Sequence, residues 1–185
     1  MLQSVSERGY EATTVPEVVA AAHVSRNAFY ELFADKTACF LALCDELAGE
    51  ILDEIAVSTE TDWVAALRSG TERYLRWWRE QPAFSRTYFV ELPAAGRPAI
   101  EQRDRQYARF RSLFDGLGAW ARQQNPALPP LRPLATRTIV LAVTELVGEE
   151  IRAGRTDRLT ELGDEVVHLM VLLLADEATA RTAIA

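Results

Sequence analysis

Three helix-start signals crowd between residues 14 and 35: Thr14-Val15-Pro16-Glu17, Ser25 and Asp35. Thr14 and Glu17 stand at the spacing of a capping box, in which a hydroxyl and a carboxylate satisfy free amides at a helix start. Pro16 is tolerated in a first turn that needs no donor from it. Val18, Val19 and Ala22 then give a short apolar face. Ser25 opens a second helix, with Val24 and Phe29 placed as a hydrophobic staple around it. Asp35 opens a third, with Lys36 in its first turn. Caps this close cannot belong to one rod; they dictate short helices set at angles. Two short helices joined by a tight turn are the arrangement that presents one helix to the major groove of DNA.

Residues 7–43 closely resemble the DNA-binding domain of the TetR family of bacterial transcriptional repressors. The residues that carry the resemblance are Gly9, Tyr10, Thr13, Thr14, Val15, Val18, Val19, Ala22, Val24, Ser25, Phe29, Tyr30, Phe33, Asp35 and Lys36, all in fixed register. Val19 takes the place of the usual Ala. Two further departures stand out. His23 occupies the turn where the family usually has Gly, a position that commonly needs φ > 0, so a small strain cost is expected. Only residues 1–8 precede Gly9, a shorter lead than family members carry, and Val5 sits where an aromatic is common. Past the first forty-five or so residues only the number and length of helices match.

The chain has 185 residues, 49% hydrophobic and 25% charged, enough for one sizeable core or a small domain joined to a larger one. No apolar run reaches membrane-spanning length and no signal peptide is visible, so a cytoplasmic protein is expected. Cys39 and Cys44 have neither metal-ligand nor redox-motif spacing and read as buried, reduced thiols. The net charge of −7 opposes bulk attraction to a polyanion. Residues 1–36 do not reverse this, since Arg8, Arg26 and Lys36 face Glu7, Glu11, Glu17, Glu31 and Asp35. Any DNA affinity must come from a few placed contacts and two copies of the domain.

Beyond Lys36 the periodicity is helical throughout, giving an all-α fold: a three-helix helix-turn-helix domain over 1–45 and a larger helical domain over 46–185. Helices are expected over about 37–57, 63–80, 84–91, 99–124, 134–153 and 159–175, with the tail after Asp176 frayed. Loops fall at Pro93–Pro98 and at the proline-rich stretch 125–133. The last two helices carry broad apolar bands. Ordinary core packing is one reading. The resemblance favours the other, a two-fold interface in which each chain gives two helices to a four-helix bundle, with Val143, Leu146, Val147, Val166 and Met170 in it.

Aromatic residues concentrate in the middle helices. Taken as a set, in the domain where TetR-like proteins hold an effector, they suggest a pocket for an apolar or aromatic ligand. Tyr74, Trp78, Phe84, Tyr88 and Phe110 are the expected wall. Leu67 and Thr71 extend the Tyr74–Trp78 helix face, and Trp77, about 100° away on the helix, should pack elsewhere. The arginines of the 99–124 helix read mainly as a solvated, ion-paired face; the sharper reading has Arg103 or Arg109 meeting an acidic effector group.

The resemblance implies a ligand-responsive transcriptional regulator, most simply a repressor. A homodimer would bind a palindromic operator in double-stranded DNA and be released by a small apolar or aromatic effector. Thr14, Ser25, Tyr30 and Lys36 should bind phosphates, while Arg26, Asn27 and Ala28 should face base edges. Phe29 and Phe33 should pin the reading helix to its domain. A second reading keeps the fold but not the DNA binding, leaving a helical module that binds ligands or proteins. No nucleophile elbow, phosphate-cradling Gly loop or metalloprotease motif is present, so neither catalysis nor a cofactor or metal is expected, and no membrane partner either.

Overall fold

The computed structural model describes residues 1–183, and among them every regular element is helical. Helix α1 spans Leu2–Arg8, α2 Val15–Ala22, α3 Arg26–Leu32, α4 Lys36–Ala56 and α5 Trp63–Glu80. Helix α6, Pro82–Arg86, runs on through a π-helical turn at Thr87–Glu91 and a 3-10 turn at Leu92–Ala95. Helix α7 spans Arg97–Gln124 and α8 Ala135–Arg152; a 3-10 segment at Thr156–Leu162 leads into α9, Gly163–Leu174, and α10 spans Glu177–Ala183.

The starts follow from capping chemistry. Ser25 accepts the Ala28 amide at 3.1 Å, Asp35 the Ala38 amide at 2.8 Å and Asp62 the Ala65 amide at 2.9 Å. The Glu17 carboxylate accepts both the amide and the hydroxyl of Thr14 at 2.9 Å, closing the start of α2. Val24 stays 47% exposed and outside the cluster around Phe29, so the expected hydrophobic staple does not close.

At its other end α2 stops in a Schellman turn. His23 sits at φ 56°, ψ 36°, its amide reaching the Ala20 carbonyl at 3.2 Å while the Val24 amide reaches Val19 at 3.0 Å. The left-handed residue expected at the turn is therefore present, and a histidine fills it.

Two apolar clusters form. The small one joins Val18, Val19, Phe29 and Cys39, with Val15 and Phe33 at its edge. It fixes α2 and α3 against the start of α4. The large one runs from Val5, Tyr10, Phe40 and Cys44 through α5 to α9. So α1 and the first half of α4 belong to the main core, and the helix-turn-helix rides on it. Both cysteines are free and buried, and burial pushes the Cys44 thiol up to about 12.

Two expectations are corrected here. The tail is not frayed over the described residues: Asp176 caps α10 through the Thr179 amide at 2.8 Å and Ala180 is fully buried. Val143, Val147, Val166 and Met170, expected at an interface between chains, lie inside the single chain's core at 7%, 0%, 2% and 2% exposure. Helices α5 and α7 cover that face, so a second copy cannot reach it. Leu146 alone of the five stays open, alongside Leu141 on α8 and Leu172 on α9.

Candidate functional site

The N-terminal unit presents a continuous exposed surface through the α2–α3 turn and the first turn of α3. Arg26 and Asn27 are exposed on it and Ala28 is partly so. Phe29, one residue on, points the opposite way and is buried at 4%. Its ring meets Tyr30 at 5.3 Å and Phe33 at 5.5 Å, which holds α3 to the domain. Tyr30 keeps 49% of its surface open, and Thr14 and Ser25 are exposed beside the two helix starts. Six of the seven expected DNA-facing residues are thus accessible, Ala28 in part.

Lys36 is placed differently. Its ammonium donates to the Tyr10 carbonyl at 2.8 Å and the Glu11 carbonyl at 3.3 Å, and lies 4.3 Å from the centre of the Tyr10 ring. It clamps the loop after α1 to the start of α4. Arg8 is likewise engaged, in an ion pair with Glu17 at 2.5 Å. Among the described residues Arg26 is the cation of this unit that makes no ion pair or hydrogen bond within the chain.

In the larger domain a cavity of about 160 Å³ opens between α5, α7, α8, α9 and the end of α4. Leu67, Thr71 and Tyr74 line it from α5, and Phe110, Phe114 and Trp120 from α7. Tyr74 and Phe110 meet edge to face, 6.1 Å between ring centres. Burial holds the Tyr74 and Tyr88 phenols well above their ordinary range, so both stay protonated donors at neutral pH.

Three expected wall residues do not line this cavity. Trp78, Phe84 and Tyr88 pack on one another instead. Trp78 stacks on Phe84 at 5.6 Å with ring planes 8° apart, and lies 5.4 Å from Tyr88 and 4.8 Å from Phe89. The ring of Phe89, contributed by the π-helical turn, packs against Trp78 as well. The open face of α5 is the Leu67–Thr71–Tyr74 face, which the i, i+3, i+4 spacing does identify. Trp77 is only partly buried and meets Phe84 edge-on at 5.7 Å. Phe114 and Trp120 are aromatic wall residues outside the expected set; their place on the Phe110 side of α7 was the available signal.

Tyr88 does other work. Its hydroxyl donates to Gln106 at 2.7 Å, and the Gln106 amide donates to the Cys44 carbonyl at 3.3 Å. Gln102 donates to the Leu41 carbonyl at 2.7 Å. Buried polar side chains of α7 thus hold α4, the helix that leaves the N-terminal unit.

The exposed α3 and the turn before it thus form a helix-turn-helix, and α4 leads from it into a helical body that holds an apolar cavity. Residues 2–43 match the family of bacterial regulatory proteins of the tetR type. Over these residues the chain carries a helix-turn-helix domain of that family's type. It is 29% identical over 114 residues to the nucleoid occlusion factor SlmA of Pasteurella multocida, a match covering 60% of this chain and 54% of that one. The match therefore spans about half the length of that relative.

The fold is shared with the fatty acid degradation regulator FadR of Bacillus halodurans, at a TM-score of 0.80 and 20% identity over 92% of this chain and 93% of that one. It is shared also with FadR of Bacillus subtilis, solved in complex with stearoyl-CoA, at 0.78 and 16% over the same shares. A tetR-family regulatory protein of Rhodococcus RHA1 matches at 0.63 and 18%, over 91% of this chain and 92% of that one.

Proposed function

We propose that this regulator is a repressor that binds a palindromic operator as a homodimer and releases it when a small apolar or aromatic effector occupies the α5–α7–α8–α9 cavity. The observation that carries the DNA half is the opposed orientation of neighbours on α3: Phe29 anchors the helix while Arg26 and Asn27 stand free in front of it. A guanidinium suits guanine and a carboxamide suits adenine, each through paired hydrogen bonds. Thr14, Ser25 and Tyr30 flank this face and suit phosphate oxygens; Lys36 reaches a phosphate only by giving up a backbone carbonyl.

The ligand half rests on the cavity, whose wall is almost entirely apolar. An engineered apolar cavity of about 150 Å³ takes up benzene. The space here fits a body of that size and not a long acyl chain such as the stearoyl group bound by the Bacillus subtilis relative. Signal would pass through α4, which begins at the helix-turn-helix and ends in the cavity wall at Ile55 and Ala56. A change in its tilt alters the spacing of two reading helices, which must match half-sites one helical turn or a multiple apart.

The test is binding to DNA flanking the chain's own gene, measured against a set of base-substituted sites. Arg26→Ala or Asn27→Ala should each relax preference at one base pair, by roughly 1–3 kcal/mol, while Tyr30→Phe should weaken all sites alike. Absence of any sequence-preferring binding, with the dimer intact, would favour the alternative of a ligand-binding module that no longer reads DNA.

A further inference from the structure

We infer that the effector site has a second, polar compartment in which Arg103 receives an anionic group, so that the effector is an amphipathic anion: a compact apolar or aromatic body carrying a carboxylate or comparable acid. This rests on the apolar cavity being the effector site and adds the charge its ligand carries.

A space of about 230 Å³ lies beside the apolar cavity, and Thr144 of α8 lines both. Tyr88, Phe89, Arg103, Tyr107, Glu145 and Arg152 also border it. Thr144 thus stands at the boundary between the two spaces, and a ligand reaching both would pass it.

The charges in the second space do not cancel. Arg152 forms an ion pair with Glu145, the carboxylate that lines the space. Arg103 has no such partner from across the cavity. Its nearest carboxylate is that of its sequence neighbour Asp104, at 3.5 Å and largely in solvent. The Arg103 Nε is shut off from water and donates to nothing among the described residues. The side chain as a whole is 43% exposed, so the guanidinium can take a further acceptor from the space that it lines.

The side chain is also held in place. Its guanidinium carbon stands 5.5 Å from the centre of the Tyr107 ring. That stacking limits the rotamers Arg103 would otherwise give up on binding. The geometry is that of a fixed fork, a shape that matches a carboxylate's two oxygens. Arg109, the other arginine that sequence reasoning raised for an acidic ligand, instead faces Asp45 at 3.9 Å on the outer surface.

Phenylbutyrate, phenylbutanol and phenylbutylamine share one body and differ in charge, and their binding to the full chain can be followed by calorimetry and by Trp120 emission. Phenylbutyrate should bind at least tenfold more tightly than phenylbutanol, and phenylbutylamine most weakly. Arg103→Gln should bring phenylbutyrate down to the affinity of phenylbutanol while leaving phenylbutanol unchanged. Arg103→Lys should restore part of the difference, and Arg97→Gln, on the exposed start of α7, should change nothing. Phenylbutanol binding as tightly as phenylbutyrate to the native chain would overturn the anionic subsite and leave the apolar cavity standing. Failure of all three compounds to bind a folded chain would overturn the cavity as an effector site, and the subsite with it.

Discussion

The Glu91 carboxylate accepts the backbone amide of Tyr10 at 2.8 Å, across 81 residues of sequence. Glu91 closes the π-helical turn that also carries Tyr88 and Phe89, while Tyr10 lies in the loop from α1 to α2. The turn beside the polar compartment is therefore bonded directly to the DNA-reading unit. Gly9 permits this approach. It sits at φ 84°, and a Cβ there would stand 3.1 Å from the Glu91 carboxylate.

Removing that acceptor leaves a part-buried amide unpaired. Glu91→Ala should lower stability by about 1–3 kcal/mol, read from urea unfolding. It should also weaken the effect of ligand on DNA binding more than it weakens either binding alone. Unchanged ligand response in a destabilised variant would make the bond a structural brace only.

The start of α2 should be sensitive to acid. Hydrogen bonds from the Thr14 amide and hydroxyl, with Arg8 nearby, hold the Glu17 carboxyl below its ordinary value of 4.5. A depressed folded value means that the stabilisation is present above pH 4.5 and disappears as the pH falls through the lower folded value. Glu17→Gln should therefore flatten that stretch of the stability–pH curve and leave the curve's shape above it unchanged. Equal slopes in the two proteins below pH 4.5 would show that Glu17 is not the group responsible.

His23 holds a left-handed conformation, φ 56°, that costs side-chain-bearing residues about 1 kcal/mol or more. His23→Gly should stabilise the chain by up to about 1 kcal/mol, the gain being reduced by glycine's greater freedom in the unfolded state. His23→Val should destabilise it, because β-branching makes the conformation worse. Denaturant midpoints for the two variants should move in opposite directions.

The proposed dimer is tested on the surface that remains open. Leu141 and Leu172 are 47% and 41% exposed in the single chain. A glutamate at either position should leave the fold intact and give monomers by light scattering, with DNA binding reduced accordingly. Val166→Glu, by contrast, should unfold the chain, since it places a charge in its own core. A folded dimer from both surface variants would move the interface elsewhere.

The helix-turn-helix and most helix limits were legible in the sequence because they are local facts. Caps at Ser25 and Asp35, the break before Pro82 and the left-handed turn at residue 23 depend on neighbours within a few positions. So does the burial of Phe29 behind the exposed Arg26 and Asn27. Apolar periodicity likewise showed which face of α5 turns inward. What it could not contain is how far each helix is rotated and shifted against the next, which is set by contacts between residues tens of positions apart. That decided that Phe89 packs against Trp78, that Tyr74 and Phe110 border the cavity with Trp120, and that Val143 and Val166 are core and not interface. Charge pairing divides the same way: Glu145 and Arg152 pair two turns apart on α8, a local fact, while Lys36 turns to the Tyr10 carbonyl, a partner set by tertiary proximity.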